Sequence, residues 1–202
     1  MTSHVVSVGI YSPKATKTVY LKTGDATNRY FTNIAWSPDE TTLYVIEVPR
    51  AQNKAELVAY DAETGERKGV LYTETHPRYV EPMNPIVFLP WDDAKFIYQS
   101  RRDGYNHFYL FDTTGKELAQ LTKGNFEVID FIGFNTKNKS IIFKANADSP
   151  ICHNLYSVNV KTQKMLRLDN GQGVHRASLS ASGAFLVDSW SAPDNYRCID
   201  LV

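Results

Sequence analysis

Apolar residues in this chain come in short runs rich in Tyr, Phe, Val and Ile, and clusters of Asp, Gly, Ser, Pro and Asn separate them. That pattern predicts short, half-buried antiparallel strands joined by tight turns. The pattern also repeats. Trp36-Ser37-Pro38-Asp39 closes one run, and the same place recurs as Phe88-Leu89-Pro90-Trp91-Asp92, Phe134-Asn135-Thr136-Lys137 and Leu179-Ser180-Ala181-Ser182-Gly183. The period is about fifty residues, the spacing of repeats that each form one blade of a β-propeller. The chain is therefore expected to be all-β, a partial propeller of about four four-stranded antiparallel blades.

The first full unit predicts strands over 30–36, 43–47, 55–60 and 67–72, and the second over 85–89, 95–100, 107–111 and 117–121. The third predicts 127–134, 140–145, 154–160 and 164–168. The last shows only 176–179, 184–189 and 196–201, while 5–10 and 18–21 read as the final two strands of a preceding blade. The segment 51–63 has the composition of a short helix, but the repeat register makes it a strand, and context commonly overrides weak propensity. Asp61 and Asp112 can accept main-chain N–H groups within their turns, and Gly65 and Gly115 supply positive φ.

Residues 1–202 thus read as one propeller fragment. It comprises the end of a blade at 5–24, blades at 30–73, 84–124 and 126–170, and an incomplete blade at 175–202. Closure as a four-bladed ring is the competing arrangement. The outer strands at 5–24 do not complement a blade that already has its first three, so a piece of a larger ring is the expectation. Unpaired flanking strands invite self-association.

Charge removes some partners. Lys and Arg number 22 and Asp and Glu number 22, a net charge of zero, whereas nucleic acid or an anionic membrane would call for a basic stripe. No apolar run approaches membrane-spanning length, and Met1-Thr2-Ser3-His4 carries no secretory signal.

Catalytic chemistry is sparse. There is no Gly-x-Ser-x-Gly nucleophile elbow, and Ser180-Ala181-Ser182-Gly183 is a turn at a repeat position. No His-x-x-x-His, Cys-x-x-Cys or clustered carboxylates suggest a metal, and no Gly-rich phosphate loop is present. No catalytic residue, metal or other cofactor is expected. His107 and His153 fall at matching places of units two and three, which points to structural roles. His76, in an interblade loop, is left free for function. Cys152 and Cys198 read as neighbours on adjacent blades, either bonded or as two buried thiols. Arg101-Arg102-Asp103-Gly104-Tyr105-Asn106 has two readings. One is an Asp-Gly hairpin whose arginines pair across blade edges; the other is a basic spot facing the channel or a partner domain.

Longer runs narrow the family. Gln99-Ser100-Arg101-Arg102-Asp103-Gly104-Tyr105-Asn106-His107-Phe108-Tyr109-Leu110-Phe111 and Gln120-Leu121-Thr122-Lys123-Gly124-Asn125-Phe126-Glu127-Val128 closely resemble the N-terminal propeller of bacterial dipeptidyl peptidase IV, of the prolyl oligopeptidase family. Val19-Tyr20-Leu21-Lys22-Thr23-Gly24-Asp25 and Tyr30-Phe31-Thr32-Asn33-Ile34-Ala35-Trp36 fit the same region. The resemblance implies a parent with an eight-bladed propeller and an α/β-hydrolase domain. That parent would release Xaa-Pro or Xaa-Ala dipeptides from peptide N-termini by serine–histidine–aspartate catalysis. The triad would lie beyond Val202 and the glutamate pair that holds the substrate amino terminus upstream of Met1, leaving this chain without activity of its own. The alternative reading is a stand-alone periplasmic ligand- or protein-binding propeller with no enzymatic activity.

Within this chain the resemblance points to the loop Arg78-Tyr79-Val80-Glu81-Pro82. Tyr79 matches an aromatic lining the extended substrate subsite, with Arg78 and Glu81 beside it; packing of Tyr79 on the Pro82–Pro85 turn is the alternative. Partners implied are the missing blades, the hydrolase domain and the peptide substrate. A periplasmic or envelope location in a bacterium is implied for the parent.

Overall fold

A computed structural model describes residues 4–202; Met1–Ser3, part of the Met1–His4 stretch read above for a signal, lie outside the described residues. Every regular element described is a strand. β1 (Gly9–Ser12) and β2 (Lys17–Tyr20) form a hairpin. β3 (Arg29–Trp36), β4 (Thr42–Pro49), β5 (Lys54–Asp61) and β6 (Arg67–Thr75) form a sheet in that order. β7 (Val87–Leu89), β8 (Asp92–Ser100), β9 (His107–Asp112) and β10 (Glu117–Gln120) form the next, then β11 (Val128–Asn135), β12 (Ser140–Ala145), β13 (Asn154–Asn159) and β14 (Met165–Arg167). β15 (Val174–Leu179), β16 (Leu186–Ala192) and β17 (Asn195–Leu201) make a three-stranded sheet. Five meandering sheets, mostly four-stranded, constitute the partial propeller. The segment of helix-like composition is strand β5.

The chain divides into two compact units, Met1–Gln99 with Phe111–Leu118, and Ser100–Leu110 with Ala119–Val202. In the first, all of β4 except Pro49 is buried, so both of its faces meet protein and its sequence is a nearly continuous apolar run. Leu21, Leu43, Val45, Val58 and Tyr60 form a core on which Val8, Ile10 and Phe31 pack. The Phe96 and Phe111 rings stack at 5.8 Å. In the second unit Phe143 meets Phe108 edge-on at 5.4 Å.

The turns are built locally. The Asp61 carboxylate accepts the N–H groups of Glu63 and Thr64 at 3.1 and 2.9 Å. Asn159, which the sequence reading passed over, does the same for Lys161 and Thr162 at 3.0 and 2.9 Å. Gly65 has φ 72° and its counterpart Gln163 has φ 58°.

Three expectations need correction. The first strand lies at Gly9–Ser12 rather than 5–10, because register is set by pairing, with Gly9 opposite Tyr20 and Ser12 opposite Lys17. The apolar Val5 and Val6 are exposed instead. β7 starts at Val87, two residues later than expected; Pro85 has no N–H to give a ladder. His107 and His153 are not equivalent. The Leu121 N–H donates to Phe108 O and the Leu168 N–H to Leu155 O, both at 2.8 Å, so the counterpart of His107 is Asn154. A slip of one residue moves a side chain to the opposite face. Cys152 and Cys198 are both free thiols, and each is half-buried.

Candidate functional site

Three prolines, Pro77, Pro82 and Pro85, lie between β6 and β7. Each removes a main-chain donor, so this segment cannot pair as a strand and is held by individual bonds within the first unit. The His76 N–H donates to Asn53 O at 3.0 Å, and the Val80 N–H donates to Gln52 O at 2.6 Å. The side-chain amide of Asn33 donates to Pro82 O at 2.7 Å, and that of Asn84 to Gln99 Oε1 at 3.1 Å. Val80 and Ile86 are buried and act as apolar anchors.

With Val80 turned inward, its neighbours turn outward. Arg78, Tyr79 and Glu81 are all exposed, Tyr79 by 59%. The Tyr79 ring meets the His76 ring edge-on, centroids 6.4 Å apart and planes at 67°. His76 Nδ1 accepts the N–H groups of Arg78 and Tyr79 at 3.2 and 3.3 Å. Arg78, Tyr79 and Glu81 thus share one exposed loop, on either side of the buried Val80.

Arg101 and Arg102 belong to the other unit. The Gly104 N–H donates to Arg101 O at 2.9 Å, with Gly104 at φ 103°. Arg101 lies 3.6 Å from Glu127 Oε2, and the Arg102 guanidinium sits 3.6 Å above the Tyr109 ring. Gln120 Nε2 donates to Asp103 and to the Tyr109 hydroxyl. Burial, with the Asp103 charge nearby, pushes the Tyr109 phenol up to about 12.

Two buried polar networks escaped the sequence reading. In the first unit Glu47, 2% exposed, accepts from both Arg29 and the Tyr60 hydroxyl. In the second unit His175 Nδ1 meets Asp188 at 2.6 Å and Nε2 meets Gln172 O at 2.8 Å. The His175 ring stacks on Trp190, whose Nε1–H donates to Asp200 at 2.7 Å. Alternation along β15 places His175 on the face of Ala177 and Leu179, and this was the available signal for its burial. His107 is held by Thr122 Oγ1 at 3.1 Å and Gly124 O at 3.0 Å. Among the described residues no group of three or more His, Cys, Asp or Glu could hold a metal.

Blades of this order carrying a pinned, exposed interblade loop define a β-propeller segment. The chain belongs to the family of dipeptidyl peptidase IV N-terminal regions, whose model matches residues 1–197. A dipeptidyl peptidase 4 of Trichophyton rubrum is 26% identical over 149 residues, 72% of this chain and 19% of that protein. A Bacteroides ovatus protein whose crystal structure is assigned as a dipeptidyl aminopeptidase IV is 50% identical with a TM-score of 0.94, over 100% of this chain and 31% of that one. Porphyromonas gingivalis dipeptidyl peptidase 4 shares the fold at 22% identity and a TM-score of 0.83, over 96% of this chain and 27% of that one. The chain thus spans less than a third of the length of each of these relatives.

Proposed function

We propose that this chain is the non-catalytic propeller portion of a dipeptidyl peptidase IV-like serine exopeptidase of the prolyl oligopeptidase family. In this reading an α/β-hydrolase domain of the same polypeptide supplies the serine, histidine and aspartate and the oxyanion hole. The propeller restricts entry to peptide ends, and its blades contact the remaining blades, the hydrolase domain and the peptide. The parent removes Xaa-Pro or Xaa-Ala dipeptides and resides in the periplasm or cell envelope of a bacterium.

The observation that carries this reading is 50% identity over the whole chain to the Bacteroides ovatus protein, with a TM-score of 0.94. The loop geometry supports a place for the substrate: Tyr79 stands out from a segment pinned on both sides, ready to pack against the first side chain of the peptide, with Arg78 and Glu81 beside it. The test is Tyr79→Ala in the full-length enzyme, assayed on Phe-Pro and Gly-Pro chromogenic substrates. Losing an aromatic contact of about 1 kcal/mol should raise KM for Phe-Pro roughly fivefold and leave Gly-Pro unchanged. Equal effects on the two substrates, or none, would remove Tyr79 from the subsite.

A further inference from the structure

We infer that His76 is the positioning residue for Tyr79, which rests on the subsite role proposed for that ring. Pro77 offers no N–H, so the first amides after His76 are those of Arg78 and Tyr79, and both donate to its Nδ1. The offsets are two and three residues, the same as those Asp61 and Asn159 use in their turns. An imidazole nitrogen here does the work of an Asx-turn oxygen. That role fixes the tautomer: Nδ1 carries the lone pair and Nε2 the proton.

What an aspartate or asparagine would not provide is the ring. Extending past the turn, the imidazole meets the Tyr79 ring edge-to-face, a preferred aromatic arrangement. His76 is itself fixed, because its own N–H is bound to Asn53 O and the next inward residue, Val80, is bound to Gln52 O. Tyr79 is therefore oriented twice, through its main-chain N–H and through its ring, by one side chain anchored to the β4–β5 turn. His76 is exposed, so replacing it leaves the core intact.

Two variants separate these contributions. His76→Ala removes acceptor and ring; His76→Asn keeps an acceptor and removes the ring. Amide hydrogen exchange on this chain reads the turn. The Arg78 and Tyr79 amides should exchange about fivefold faster or more in His76→Ala, the scale of a lost hydrogen bond, and His76→Asn should restore them. Unchanged exchange in His76→Ala would overturn the turn assignment.

Kinetics of the full-length enzyme read the ring. Both variants should raise KM for Phe-Pro with kcat unchanged, and neither should add to Tyr79→Ala. Normal KM in His76→Asn would overturn the ring contact, and normal KM in both variants while Tyr79→Ala is impaired would overturn positioning altogether. If Tyr79→Ala has no effect, the subsite reading fails, and the exchange data still decide the His76 turn.

Discussion

The backbone of Gly115 lies against the carbonyl of Leu71 so closely that a Cβ at Gly115 would stand 2.0 Å from that oxygen. Gly65 has the same relationship to Tyr20, at 2.3 Å, and its own carbonyl accepts the Lys22 N–H at 2.8 Å. Each glycine closes the turn between the third and fourth strands of its sheet and rests on the last strand of the sheet before it. Both have positive φ, 72° at Gly65 and 89° at Gly115, but the close approach is the stricter demand. Gly115→Ala should cost about 3 kcal/mol, against about 1 kcal/mol for Gly104→Ala. Gly104 also has positive φ but nothing within 4 Å of a built Cβ. Urea midpoints at unchanged m-value measure the difference; equal losses would show that the seat on Leu71 contributes nothing.

Acid should weaken the fold through its turns. Hydrogen bonds hold three turn carboxyls, exposed Asp39 and half-buried Asp61 and Asp112, below their ordinary value of 3.8: Ser37 chiefly at Asp39, the Thr64 N–H at Asp61 and the Thr114 hydroxyl at Asp112. For a depressed carboxyl, the unfolded chain takes up the proton first. Its stabilisation is therefore complete above the unfolded value and is lost as pH falls through the folded one. Stability should hold at neutral pH and decline below about pH 4. Asn159 shows that an amide can build the same turn, so Asp61→Asn with Asp112→Asn should keep the fold and make the decline shallower. Urea midpoints across that range decide it, and an unaltered acid limb would count against these turns as its source.

Glu47 should be hard to replace. It is buried with Arg29 and the Tyr60 hydroxyl donating to it and Arg67 at 3.7 Å. Burial and the Glu47 charge push the Tyr60 phenol above its ordinary range, which keeps it a donor. Glu47→Ala takes the buried carboxylate from the Tyr60 hydroxyl and leaves the Arg29 guanidinium only its carbonyl acceptors Thr23 O and Asp25 O, and should cost about 3 kcal/mol. Glu47→Gln, which still accepts from Tyr60, should cost less. Thermal melts of the two variants would contradict this account if they coincided.

The architecture was legible because its signals are local. Ser37 and Asp39 make their turn from their own side chains, with the Asp39 carboxylate accepting the Thr41 N–H at 3.1 Å and Ser37 Oγ accepting the Thr42 N–H at 2.9 Å. Such chemistry survives in sequence at every repeat. Register is less local. Val5 and Val6 have strand composition but no partner strand, and the one-residue difference between His153 and Asn154 changes which side chain faces the core. The site divides in the same way. Tyr79 could be singled out by resemblance, but the bonds that present it come from Asn33, Gln52, Asn53 and Gln99, residues distant in sequence. The second role of His76, as turn acceptor and ring partner, required seeing Nδ1 beside two main-chain amides.

The most direct test of the peptidase reading is dipeptide release, measured on this segment alone and on the full reading frame that contains it. The full protein should cleave Gly-Pro from a peptide N-terminus, losing activity when the N-terminus is acetylated, while the segment alone releases nothing. Activity in the isolated segment, or a full-length protein that leaves Xaa-Pro peptides intact, would contradict it.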